Sequence, residues 1–223
     1  MLFFKSVDIR LQWYILRNIV PQYKELDAAH NEKHIYYVMK RSVAMAKAWD
    51  VDVNMAYCIA AFHDMGMLVG RQKHEIYGAA KLENDKMMIR FFDSHDRYLM
   101  KSAIEEHRAS YVGAYTSIYS KIISQADRSF DIYLMTERSI QYGIKYFPRY
   151  TYDEHYRRTY DYLKKKYGEG GYAHLLLEYL PDQIKWDGIR KNLNDESQFR
   201  KIFNKCYHDE VMVGEHVDGD SVN

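Results

Sequence analysis

The sequence predicts an all-α fold, a bundle of helices. Three observations point to it. Apolar residues recur at three- and four-residue spacing along most of the chain. No segment sustains the two-residue alternation of a strand. Only 3 prolines and 11 glycines punctuate 223 residues, too few for a turn-dense β-sandwich.

The elements follow in order. Residues 7–20 read as an amphipathic helix with Ile9, Trp13, Leu16 and Val20 on one face, stopped by Pro21. Residues 31–49 form a second helix, with Asn31 as N-cap and Ile35, Val38, Met39, Ser42 and Ala46 facing inward. Residues 53–63 are apolar nearly all round, the mark of a central buried helix. Gly66 and Gly70 supply a loop. Helix resumes over 74–92, where Gly78 and Ala79 allow close packing. Residues 98–108 place Met100, Ala103, Ile104 and His107 in one stripe. Residues 115–127 align Ile118, Ile122 and Ala126, and a helix over 129–146 stops before Pro148. Beyond it the composition turns polar and basic over 153–167, with Tyr156, Tyr160, Tyr162 and Tyr167 interleaved. Residues 172–180 and 196–207 read as two more helices. The last fifteen residues hold five acids and no lysine or arginine, a frayed tail. This divides the chain into an N-terminal helix (1–26) packing on the core, a core (27–147), and a C-terminal helical extension (148–223).

Composition narrows the function. Lysine plus arginine is 32 and aspartate plus glutamate is 31, so net charge gives no reason to expect nucleic acid or a membrane surface as partner. Nucleic-acid binding by the basic stretch 157–166 would need stacking rings in a groove; a solvated helix face is the simpler reading. The apolar run Leu11 to Leu16 is too short for a membrane span or a signal core, and the C-terminal Ser-Val-Asn carries no lipidation signal. Two cysteines, Cys58 and Cys206, exclude a disulfide framework and suit a reduced, cytoplasmic setting. The 22 tyrosines supply amphipathic packing area.

Six of the ten histidines lie between residues 30 and 107. His63 and Asp64 end the most apolar helix. A carboxylate there is disfavoured twice, by burial and by the negative end of the helix dipole. A bound cation removes both objections. His30 and His34 fall on the inner face of their helix, His107 closes an apolar stripe, and Asp127 ends a largely apolar helix as Asp64 does. Imidazoles and carboxylates on inward faces of separate helices suit divalent metals. His95, His155, His174, His208 and His216 sit in polar segments and read as surface residues.

The order His34, His63-Asp64, Asp127 resembles the H…HD…D signature of the HD-domain superfamily of metal-dependent phosphohydrolases. The contexts Asp27-Ala-Ala-His30-Asn-Glu-Lys-His34, Ile59-Ala-Ala-Phe-His63-Asp64-Met-Gly66 and Ser124-Gln-Ala-Asp127-Arg128 are similar to that family's ligand-bearing segments. The resemblance covers roughly residues 27–130. It implies an HD-domain helical bundle, His34, His63, Asp64 and Asp127 as metal ligands, and Asp64 as the bridging carboxylate. His74 and His107 fall where a two-metal subgroup has its extra ligands. The ions implied are one or two divalent metals among iron, manganese, zinc, nickel and magnesium. Many two-metal members carry a lysine soon after the HD pair; here none comes before Lys73.

A phosphorylated substrate calls for further positive charge, and Arg108 and Lys73 are the preferred contacts, ahead of Arg71 and Arg128. His30 is a candidate proton donor or supporting residue. The implied function is metal-dependent hydrolysis of a phosphate ester or anhydride in a nucleotide-like small molecule. Two rivals stand beside it: a di-iron oxygenase on the same fold, and a metal-stabilised binding or regulatory module without turnover. Residues 150–223 are left for a lid over the site or a homodimer contact.

Overall fold

The computed structural model describes residues 4–26 and 30–217, with side chains as far as residue 210. Among the described residues there are eleven α-helices and no strand, so the all-α reading holds. No described helix is long and apolar enough to cross a membrane. Cys58 and Cys206 are both free, buried thiols. The chain forms two compact units, residues 1–128 with 176–179, and residues 129–175 with 180–223.

The first unit begins with α1 (Ile9–Tyr14), capped by the Asp8 side chain. The chain then widens into a π-helical turn (Ile15–Ile19) and tightens into a 3-10 turn (Val20–Glu25). Two expectations change here. Pro21 does not stop the path, because it sits in the first positions of the 3-10 turn, where a missing N–H costs nothing. Leu16 and Val20 are buried as expected, together with Leu11, Ile15, Ile19 and Tyr23, whereas Ile9 and Trp13 are 52% and 48% exposed. The change of helical pitch turns the stripe away from the face that uniform 3.6-residue spacing predicts.

Helix α2 (Glu32–Ala48) starts on the Asn31 side chain, as expected, and buries Ile35, Val38, Met39, Ser42 and Ala46. It packs on α3 (Val53–Phe62), which is buried on nearly every side. A 3-10 turn (Met65–Leu68) follows. The single helix expected over 74–92 is two, α4 (His74–Glu83) and α5 (Lys86–Phe91), because the Asp85 side chain caps a new start. Helix α6 (Ser94–Glu105) begins earlier than its apolar stripe, on the cap Asp93, and ends before His107. Helix α7 (Ile118–Ala126) completes the unit. Residues 176–179 rejoin it through Gln125, whose amide oxygen accepts from the backbone N–H of Leu176 (2.8 Å) and Leu177 (2.9 Å).

The second unit holds α8 (Ile132–Tyr146), α9 (Tyr152–Tyr167), α10 (Leu180–Asn194) and α11 (Glu196–Val217). The boundary therefore falls after Arg128, not at 147–148. Helix α8 turns Ile132, Met135 and Ile140 into the second unit's own core and packs on α9 and α11. The change in composition at Pro148 marks a turn between packed helices. Residues 172–179 form no helix, and α10 takes the next stretch. The tyrosines at 156, 160 and 167 are buried among Trp186, Phe199 and Phe203, so the basic helix α9 presents its charges outward over an aromatic core. The frayed tail lies partly on residues 218–223, outside the described residues; before that, the α11 backbone stays helical to Val217.

Candidate metal centre

Helix ends bring the chemistry together in the first unit. His63 is the C-cap of α3, with Asp64 next to it. Asp127 is the C-cap of α7, His74 opens α4, and His107 lies two residues past the end of α6. His34 comes from the first turn of α2. Two glycines make this convergence possible. A Cβ on Gly66 would stand 2.0 Å from the carbonyl oxygen of His74, and one on Gly78 would stand 2.9 Å from that of His63. Their absent side chains let α4 press against the turn after α3, which carries His74 to Asp64.

Asp64 is the centre, only 3% exposed. Its Oδ2 lies 3.1 Å from His63 Nε2 and 3.6 Å from His34 Nε2. Its Oδ1 lies 3.4 Å from His74 Nε2 and 3.7 Å from His107 Nε2. Asp127 Oδ1 lies 3.2 Å from His34 Nε2 and 3.6 Å from His63 Nε2. Donor atoms thus fall into two groups, His34, His63, Asp64 and Asp127 on one side and Asp64, His74 and His107 on the other. The six residues expected as ligands all fall in one or both of these groups.

The chemistry of this donor set fits a cation. The Nδ1 of His63 meets the carbonyl of Ala60 (2.8 Å), that of His74 the carbonyl of Arg71 (3.0 Å), and that of His107 the carbonyl of Ile104 (2.6 Å). A carbonyl oxygen only accepts, so each Nδ1 carries the proton. Each neutral ring then turns an Nε2 lone pair inward. The lone pairs of His74 and His107 face each other at 3.3 Å, with Asp64 beside them. Nε2 of both His34 and His63 is buried without a hydrogen-bond partner. Electron-rich atoms held this close repel unless protons or metal ions stand between them. Fixing a ring through its other nitrogen is also how proteins present imidazole to metals.

In the metal-free protein the balance is struck by protonation. Burial raises the carboxyls of Asp64 and Asp127, yet the imidazoles of His63 and His34 outweigh it and hold both well below the ordinary range. Burial lowers His34 and His63, yet Asp127 and Asp64 outweigh it and hold both above theirs. Burial, with the nearby charge of His63, lowers His107.

The remaining predicted residues lie around this cluster. The His30 ring is 6.0 Å from that of His34, edge to face, and His30 belongs to neither donor group. Arg108, 47% exposed, reaches Glu75 at 3.5 Å. Lys73 is exposed, at the left-handed N-cap of α4, and makes no ion pair among the described residues. Arg128 is buried, with Nη2 donating to Ser124 Oγ (3.2 Å), and Arg71 is exposed. One surface assignment is corrected. His155, in the second unit, is 2% exposed, because α9 turns it inward between Tyr150 and Tyr207. His95, His174 and His208 are exposed as expected, and the side chain of His216 lies outside the described residues.

Three contributors carry no motif. Glu75 stands 3.4 Å from His74 Nδ1 and pairs with Arg108. Tyr23, fully buried, donates to the carbonyl of Ala61 (3.0 Å) and so supports the end of α3. Arg41 donates to carbonyls at the end of α7. Adjacency to His74 is the only sequence signal for Glu75, and a seven-residue step from His34 the only one for Arg41.

Helix ends of this unit thus gather two histidine–aspartate groups around a shared carboxylate, a set that could hold a metal ion. Residues 31–129 match the family model of the HD domain, the stretch that holds the histidine–aspartate cluster. HD domains are generally metal-dependent phosphohydrolases that bind divalent ions. Searches of curated proteins and of solved structures found no match.

Proposed function

We propose that this protein hydrolyses a phosphate ester or anhydride of a nucleotide-like small molecule. The observation that carries the reading is the sharing of Asp64 by two donor groups, with backbone carbonyls turning the Nε2 lone pairs of His63, His74 and His107 inward. His34, His63 and Asp127 would hold one divalent ion, His74 and His107 a second, with Asp64 serving both. Bound there, such ions acidify water and offset charge on phosphoryl oxygens.

The chain's own residues supply the rest. Arg108 offers a forked guanidinium beside the second group, suited to phosphoryl oxygens, and Glu75 holds it at that edge. Lys73, at the start of the helix that carries His74, adds positive charge from solvent. His30, whose ring lies 6.0 Å from that of His34, would be the proton donor to a leaving oxygen. Arg108→Gln is expected to raise KM for a phosphorylated substrate more than it lowers kcat.

The test is phosphate release from a panel of nucleotides by protein loaded separately with manganese, zinc, iron, nickel or magnesium. Release that is lost in Asp64→Ala supports the reading. Two redox-active irons by EPR, without phosphate release, would replace it with the oxygenase. Retained metal and ligand-induced thermal shift, without turnover of either kind, would replace it with a binding module.

A further inference from the structure

We infer that Arg41 is the positioning residue for Asp127, and that through Asp127 it sets the affinity of the first donor group for its ion. The inference rests on the metal reading above and assigns it a new part.

Helix α7 ends at Ala126, and its last carbonyls have no partner within the helix. They also form the negative end of the helix dipole, where the Asp127 carboxylate adds charge of the same sign. Arg41 answers both. Its Nη1 donates to the carbonyl of Ala126 (3.0 Å) and to that of Arg128 (2.7 Å). These two carbonyls flank Asp127 in sequence. The Asp127 N–H meanwhile donates to the carbonyl of Ile123 (2.9 Å). The backbone that carries the carboxylate is therefore held before, at and after Asp127.

The guanidinium is itself held. It lies over the Tyr37 ring at 5.3 Å, and its Nη1 donates to the Tyr37 hydroxyl at 3.3 Å. Arg41 stands two helical turns after His34, so both project from one side of α2. One rigid helix thus delivers a donor to the first group and fixes the backbone of the donor opposite it, which stands 3.2 Å away. A lysine keeps the charge but lacks the planar guanidinium that lies over the Tyr37 ring, so the group would be held less firmly.

The test is titration of the metal-free protein with Co²⁺ or Mn²⁺, followed by calorimetry, for wild type, Arg41→Met, Arg41→Lys and Ile122→Val. The last trims a buried side chain of α7 and serves as a stability control. Arg41→Met is expected to weaken uptake at the first group by about 10–100-fold, the usual effect of losing a residue that orients a ligand. Arg41→Lys should fall between, and Ile122→Val should bind as wild type does. Wild-type affinity in Arg41→Met overturns the inference, as does equal weakening in Ile122→Val. Should Arg41→Met fail to fold, Arg41→Lys decides: several-fold weaker uptake supports the clamp and unchanged uptake removes it. Wild type that takes up no ion sinks the metal reading itself, an outcome distinct from a wild type that binds and an Arg41→Met that binds equally well.

Discussion

On the Oδ2 side of Asp64, the donor group adds His34, His63 and Asp127; on the Oδ1 side it adds His74 and His107. The first group joins two carboxylates to two imidazoles, drawn from α2 and from the ends of α3 and α7. The second has one carboxylate and two imidazoles, and borders the Glu75–Arg108 pair at the surface. More negative charge and more donors make the first the stronger cation site. Fewer protein donors leave more coordination positions for water and substrate at the second. On the proposed reading the two groups would do different work: the first would anchor, and the second would meet the substrate.

The largest expected effect removes the member they share. Asp64→Ala should empty both groups, measured as metal per chain by elemental analysis. It should also abolish metal-dependent stabilisation, about 2.7 kcal/mol per site at metal one hundred times its Kd. Full metal content in this variant would break the scheme. Single-group variants sharpen it. His63→Ala should lose the first ion, and its stabilisation, while His107→Ala should deplete only the second. Equal loss from both groups in His107→Ala would mean that the groups are not separable.

A smaller effect separates the backbone that delivers the second group from its ligands. Gly78→Ala places a Cβ 2.9 Å from the carbonyl of His63 and 3.0 Å from that of Phe62. Helix α4 must move, at a cost of about 1–3 kcal/mol, and His74 moves with it. The expected result is weaker uptake at the second group with the first nearly intact, read from a two-step metal titration. Undisturbed uptake at both would show that the close approach of α4 serves packing alone.

The candidate set was legible in two ways: His34, His63, Asp64, His107 and Asp127 are chemistry-bearing residues at the end or on the inner face of helices with an apolar stripe, whereas His74 stood out only through the resemblance to the two-metal subgroup. His63, Asp64 and Asp127 stand where a charge makes no sense without a partner. The helices of the first unit were legible for the same reason, through Asn31 and the apolar run of α3. What escaped depends on how helices meet. Arg41 acts on carbonyls, and every residue has one, so no side-chain pattern announces it. The π-helical turn after Tyr14 alters the pitch without a marker residue, which is why Ile9 and Trp13 point to solvent. His155 lies among charges yet turns inward, because Tyr156 and Tyr160 hold α9 on an aromatic core. The unit boundary after Arg128 follows the packing of α8, and the composition is silent there.

The smallest expected effect is a change of sign with pH. In the metal-free protein, Asp64 and Asp127 sit well below the ordinary carboxylate range. Their contribution is present above a pH of about 3.9 and is lost only as pH falls through their lower folded values. His34 and His63 sit above the ordinary histidine range. Their contribution is full below a pH of about 6.5 and is lost as pH rises through the folded values. His107 is lowered, so its contribution runs the other way, present above about 6.5 and fading below. Above about pH 6.5 the lowered His107 no longer changes charge, so melting of the chelator-treated protein should fall as pH rises beyond that point. Metal reverses this. Ligation needs neutral imidazole, so uptake releases protons and tightens as pH rises. Thermal melts above that point, with chelator and with saturating Mn²⁺, should therefore slope in opposite directions. A metal-free melting temperature that climbs with pH would mean that His34 and His63 enter the fold neutral. The contrast between an anchoring group rich in charge and a second group open to substrate would then lose its electrostatic basis.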